Sequence, residues 1–480
     1  MKFWFNDKKF FIALFILLFI YLLTGFYIIY NHLDIITKAE VFLGADNARA
    51  WNDLTVINSD HYRIKVHPLF ILLIQPFVHT LNLIINNTAV SLIIIQSVFG
   101  VGTCVLIFFI LKNFNVSNNI SFISMLLWGL SFCALIFSSI PETYIYSAFF
   151  NLLLWFYISK LMKNNKLSTG EIINTSLFSA LATGIILSNF LICIISIVFL
   201  LQNVYENKLV PIIKELFKII LLSILFITIL NFLQSLLWKT PILFKSLSVI
   251  FTNPNEYEDF KYFNFHINSA VMHSLFYQYF IAPFYAIKII ELPQWGSRFT
   301  KIVFKYHQNI MLTLPVILIY CYALISAIKN KIIKNKLIIT LFFIILIEFI
   351  SFIFYGNFEA FIYSPNYLIF IILFFANIFN NCQNKFLYLI LSLIFICQII
   401  LNFKAILYIV QYLNKYAMPD ANYALFPIYS LIIAILFAII AFFISKKIKK
   451  IQIEKVLYIY IFYCLLFLTL QILSNLCKNM

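Results

Sequence analysis

The chain has 480 residues, of which 63% are hydrophobic and only 11% charged, with a mean hydropathy of +0.97. That balance excludes a water-soluble globule and leaves a polytopic membrane protein. The formal net charge of +16 would suggest nucleic acid in a soluble protein, but the Lys cluster in short loops between apolar runs, the positive-inside pattern, so no nucleic-acid partner is expected.

In chain order, residues 10–30 follow Lys2, Lys8 and Lys9 as a signal peptide would, yet the run is long and lacks a small-residue cleavage site, so it reads as a retained first span. Further spans read at 89–111, 120–138, 143–161, 216–237, 310–328, 337–355, 365–380, 386–402, 427–445 and 456–476. Most are about 18–22 residues long, enough to cross the hydrocarbon core as helices, and no alternating barrel pattern is present. Residues 68–85, interrupted by Pro76 and His79, read as an outer juxtamembrane helix, because a crossing there would place Lys160, Lys163 and Lys166 outside. Residues 171–201 lie between the Lys-bearing loops 160–166 and 208–218 and therefore cross an even number of times, as two short helices turning near Ser188 and Asn189. The expected fold is an all-α polytopic membrane protein, a single domain over 1–480, with about 13 transmembrane helices and outer juxtamembrane helices. Its N-terminus is expected inside and its C-terminus outside. The eight Cys (104, 133, 193, 321, 382, 397, 464, 477) show no paired spacing, so neither a disulfide framework nor a zinc site is expected.

This partition leaves outer segments at 31–88, 139–142, 238–309, 356–364 and 403–426. All three Arg (49, 63, 298) and all seven His (32, 61, 67, 79, 266, 273, 307) fall in them, although positive-inside sorting would push Arg inward. Arg kept against that bias suggests bidentate contact with phosphate or carboxylate, which an ammonium cannot reproduce, and Arg49, Arg63 and Arg298 become substrate-binding candidates, with chance as the rival explanation for so small a number. The densest polar stretch is residues 44–70, with three Asp, two Arg and two His. Asp46 and Asp53 lie seven residues apart, so a helix over 45–55 would project both carboxylates from one face. Asp60 shares the loop, and each acid either serves as a base or keeps the loop hydrated; His61 and Tyr62 are less specific. His67, before Pro68, either contacts a phosphate or Asp, or caps the next helix.

Glu142, at an outer turn after a proline, either caps the following helix or lines the site, and Glu359 in a short outer turn could touch donor or acceptor. Glu348 sits in mid-span, where a charge is expensive, and reads first as a hydrogen-bonded structural acid. The 238–309 segment is long enough for interfacial helices whose aromatics suit the headgroup level.

The D-x-x-R of Asp46 to Arg49 soon after the first span, followed by V-H-P-L at 66–69 opening a juxtamembrane helix, resembles the integral-membrane GT-C glycosyltransferases. The likeness is to the dolichyl-phosphate-mannose protein mannosyltransferase type and related bacterial lipid-linked sugar transferases, and it covers residues 40–165. The resemblance implies inverting transfer of a sugar from a polyprenyl-phosphate carrier to a lipid, glycan or protein acceptor on the non-cytoplasmic face of a bacterial inner membrane. It also implies an acidic base in the first outer loop, the position of Asp46, with Arg49, Arg63 and Lys65 as cations for the phosphate. Many members carry two adjacent acids where this chain has Asp46 and Asn47, so a divalent cation, Mg or Mn, is left open. The rival expectations are a transporter or flippase of lipid-linked glycans and a surface-polysaccharide polymerase. Transport usually places ionisable groups along a path within the spans, whereas here they gather outside. Neither a Walker A loop nor a Rossmann glycine pattern is present, so a lipid-borne donor fits better than a nucleotide sugar.

Overall fold

A computed structural model describes residues 8–37, 42–57, 66–238, 240, 269–293, 300–304, 310–355, 360–416 and 428–436. Long apolar runs form helices, two of which accommodate an internal proline (Pro76, Pro315), and polar residues between the runs set the ends. The main helices are α1 (Lys8–Ile28), α2 (Asn47–Thr55), α3 (Phe70–Ile85), α4 (Thr88–Asn113), α5 (Asn118–Gly129), α6 (Phe132–Phe137), α7 (Tyr144–Leu161), α8 (Thr169–Ile185), α9 (Asn189–Val204) and α10 (Leu209–Trp238). They continue as α11 (Ser269–Phe276), α12 (Ile310–Lys329), α13 (Lys336–Tyr355), α14 (Ser364–Phe379) and α15 (Lys385–Asn414).

Caps explain several boundaries. Asn86, in the left-handed region at φ 53°, closes α3, and the Asn87 side chain accepts from Val90 N at 3.1 Å to open α4. Ser168 and Glu171 form a reciprocal capping box at the start of α8. Asn384 opens α15 by accepting from Leu387 N.

Among the described residues, six helices are long and apolar enough to cross a membrane: α1, α4, α10, α12, α13 and α15. The chain is thus a predominantly α-helical, membrane-embedded protein. Apolar helices α3, α9 and α14 have 16 residues each, about 24 Å at the α-helical rise. α4 is central, packing on α1, α3, α5 and α7, with 67% of its apolar window buried against 28% for α10. α10 instead exposes Leu221, Ile224, Leu225, Phe232 and Leu236, a surface suited to lipid.

The helix break expected within 171–201 falls at residues 186–188, between α8 and α9. Two expectations need correction. The single span over 120–138 is two helices, α5 and α6, because Ser131 breaks the run: its Oγ donates to Trp128 O at 2.5 Å and accepts from Ala134 N. Residues 403–414, assigned to an outer segment, continue α15. Lys404 is exposed on the helix surface and no Gly or Pro interrupts AILYIVQYL, so one charge is not a boundary. One short hairpin accompanies the helices: β1 (Ile289–Pro293) pairs antiparallel with β2 (Thr300–Phe304), Ile289 opposite Phe304. The β-branched Ile289, Ile290, Thr300, Ile302 and Val303 favour strands over helix there. Of the span expected at 427–445, residues 428–436 are helical, while 427 and 437–445 lie outside the described residues, as does the span expected at 456–476.

Candidate functional site

A tight turn delivers the first acid. Leu43 and Gly44 have φ of 49° and 90°, and Ala45 N donates to Phe42 O at 2.6 Å. Two successive left-handed residues favour Gly at the second, and the chain reverses immediately before Asp46. Asp46 then occupies the N-cap position of α2, yet its side chain makes no capping hydrogen bond. The carboxylate turns instead to Arg49, with Oδ2 3.4 Å from Nε. One turn later Asp53 Oδ2 accepts from Arg49 Nη1 at 3.0 Å. The two acids flank the arginine at i−3 and i+4, so α2 presents all three on one face.

The third carboxylate comes from the turn between α6 and α7. Glu142 Oε1 lies 3.6 Å from Arg49 Nη2, which also donates to Thr143 Oγ1 at 3.3 Å. Glu142 Oε2 accepts from the Asp46 backbone N–H at 2.9 Å, while Oε1 accepts from both Thr143 N and Thr143 Oγ1 at 2.8 Å. Asn47 adds a further tie, its Nδ2 donating to Pro141 O at 2.9 Å from a fully buried position. An aspartate at 47 could not make that donation.

Two glutamines hold this assembly to the bundle. Gln96 in α4 donates to Phe137 O and Glu142 O, and its Oε1 accepts from the Tyr146 hydroxyl at 2.5 Å. Gln75 in α3 donates to Asp53 O at 2.9 Å and to Val56 O, and accepts from the Trp238 indole at the end of α10. The α2 segment is therefore fixed from α3, α10 and the 141–143 turn.

Electrostatically, one guanidinium faces three carboxylates. Side-chain exposure is 14% for Asp46, 7% for Asp53 and 1% for Glu142, with Arg49 at 5%. Burial pushes the Glu142 carboxyl above its ordinary value; Arg49 opposes the shift and Asp46 adds to it. Asp46 is the most exposed of the three acids. Among the described residues no group of three or more His, Cys, Asp and Glu is placed to hold a metal ion.

Of the other sequence candidates, His67 sits at the α8–α9 break. Its Nδ1 lies 2.9 Å from Ile185 O, while Leu69 N donates to Gly184 O and Leu187 N to Val66 O. Pro68 O accepts from Asn231 and Gln234 of α10. The V-H-P-L segment is accordingly an anchor for α3, and the structure does not bring His67 into the Arg49 contacts above. Arg63, Lys65, Arg298 and Glu359, with Asp60, His61 and Tyr62, lie outside the described residues. Sequence reasoning missed Thr143, Gln75, Gln96, Tyr146 and Trp238; the available signal was amides isolated within apolar runs, which only a hydrogen-bonding role makes affordable in a membrane. No protein-family model matches the chain, and no curated protein matches it.

Proposed function

We propose that the chain is an integral-membrane glycosyltransferase of GT-C type, moving a sugar from a polyprenyl-phosphate carrier to an acceptor at the non-cytoplasmic face of a bacterial inner membrane. The observation that carries this reading is the N-cap residue of α2, Asp46, whose partly exposed carboxylate makes no capping hydrogen bond and is held beside Arg49 and Glu142. A general base must touch its substrate and keep a fixed orientation, and Asp46 meets both demands better than its more buried neighbours.

In the proposed reaction Asp46 takes the proton of an acceptor hydroxyl as its oxygen attacks the anomeric carbon. The bond to the polyprenyl phosphate breaks on the opposite face, with inversion. In this proposal Arg49, whose three nitrogens face Asp46, Asp53, Glu142 and Thr143, orients the carboxylates. The phosphate then falls to Arg63 and Lys65, with Arg298 and Glu359 reserved for donor or acceptor. A topology of about 13 crossings with the Lys loops inside puts the α2 face outside, where a flipped lipid-linked donor would be met.

One observation favours transport instead: Glu348, within α13, has a carboxyl oxygen buried without a hydrogen-bond partner among the described residues. The test is reconstitution of the full chain in vesicles with radiolabelled polyprenyl-phosphate sugars and an acceptor-containing membrane extract. Label moved from the carrier to the acceptor supports transfer. Label that stays on its lipid but crosses the bilayer supports the flippase.

A further inference from the structure

Below the candidate site, three helices meet along a seam. On α7, Tyr144, Ser147, Asn151 and Trp155 follow one another by three or four residues and share one stripe. On α14, Tyr363, just before the helix, and Asn366 and Phe370 within it do the same. The register between the two is set by ring contacts: Tyr144 meets Tyr363 at 4.6 Å between centroids, and Trp155 meets Phe370 at 5.9 Å. Asn151 and Asn366 lie between those two contacts, on facing stripes. α9 closes the third side, with Asn189 Nδ2 donating to Ser147 Oγ at 2.7 Å and Phe199 stacked on Trp155 at 5.7 Å.

Asn151, Trp155 and Asn189 are 0% exposed and Asn366 is 3% exposed. Even so, Asn151 Nδ2 and Oδ1, Trp155 Nε1, Asn189 Oδ1 and Asn366 Oδ1 have no hydrogen-bond partner among the described residues. Buried polar atoms are rarely left unsatisfied, and in a membrane bundle bulk water cannot rescue them. The inventory sets the chemistry of what completes them. It comprises donors at Asn151 Nδ2 and Trp155 Nε1 and acceptors at Asn151 Oδ1, Asn189 Oδ1 and Asn366 Oδ1, with no charge among them. A cation would meet two donors, and an anion three acceptors. Only a neutral molecule that donates and accepts suits both, and the enclosure by aromatic pairs above and below restricts it to a small one.

We propose that the α7–α9–α14 seam is a binding site for buried water, bridging Asn151 to Asn366 and to the Trp155 indole. Such water latches α14 to α7 through hydrogen bonds and thereby fixes Tyr363 against Tyr144, next to Thr143 and the carboxylate cluster. The inference does not depend on the proposed activity.

The test is X-ray hydroxyl-radical footprinting of the detergent-solubilised full chain, in which radicals form at bound water and oxidise adjacent side chains. Trp155 is expected to be oxidised despite its burial, at a rate that falls at least about fivefold in Asn151→Leu with Asn366→Leu. Equal oxidation of Trp155 in both proteins, or none in the wild type, overturns the proposal. Thermal melting of the single variant Asn151→Leu gives an independent sign: loss of a water-bridged amide lowers Tm by several degrees, whereas a dry seam predicts that removing orphaned polar atoms raises it.

Discussion

Arg49→Met tests the electrostatic centre of the site. The substitution keeps an unbranched apolar stem of similar reach and removes the guanidinium that Asp46, Asp53 and Glu142 share. Asp53 and Glu142 are 7% and 1% exposed, so solvent cannot compensate them. Removing one partner of a buried ion pair costs about 3–5 kcal/mol. At about 2 °C per kcal/mol for a large chain, that is a fall of ~6–10 °C in Tm. The pH dependence carries a definite sign. Glu142 titrates above its ordinary 4.5 in the fold, so the folded state retains a proton that the unfolded chain loses. Its contribution to stability is full below that ordinary value and is lost as pH rises through the raised one. Without Arg49 the opposing attraction disappears and the window extends to higher pH. The variant's deficit is therefore expected to be largest at neutral and alkaline pH and to shrink on acidification. Melting curves in detergent from pH 5 to 8 measure this; a variant within about 1 °C of wild type throughout would refute the account of Arg49 as the common counter-ion.

Other predictions follow from single contacts. Asn47→Asp sets a carboxylate against Pro141 O in a fully buried position, and is expected to cost about 3 kcal/mol or more, read as loss of Tm or of folded yield. Gln75→Leu strips Trp238 Nε1 and Asp53 O of their contacts, for about 1–3 kcal/mol, and an unchanged melt would show that α2 is held by other means. Gly184→Ala drives a methyl into the Leu69 side chain, with an overpacking cost of about 1–3 kcal/mol. A reporter fused after residue 85 should read outside if α3 is juxtamembrane; a cytoplasmic reading would invert the proposed orientation of every following loop.

Much of the helical plan was legible because apolar runs in a membrane chain have few alternatives to helix, and because Ser188 and Asn189 punctuate the α8–α9 break. The corrections share a cause. Composition marks apolar runs, whereas the actual ends depend on where a hydroxyl can bond, as at Ser131, and where a charge can reach the surface, as at Lys404. In the site, the seven-residue spacing of Asp46 and Asp53 foretold one shared face, and both acids do meet Arg49. The third carboxylate could be nominated but not joined to them, since the pairing of residues 46 and 142 depends on α4 and α7 packing side by side. Gln75 and Gln96 carry no charge to mark them in the sequence, yet a membrane interior builds its fixed geometry from neutral amides as well.

The most direct test of the central claim is sugar transfer by Asp46→Asn alongside wild type, each with its melting curve. Asparagine retains the backbone N–H that Glu142 accepts and has nearly the same shape, so Tm is expected within about 2–3 °C of wild type. Transfer from a polyprenyl-phosphate sugar should be abolished, with donor binding retained. Full transfer by the folded Asp46→Asn protein would contradict the assignment of Asp46 as the base.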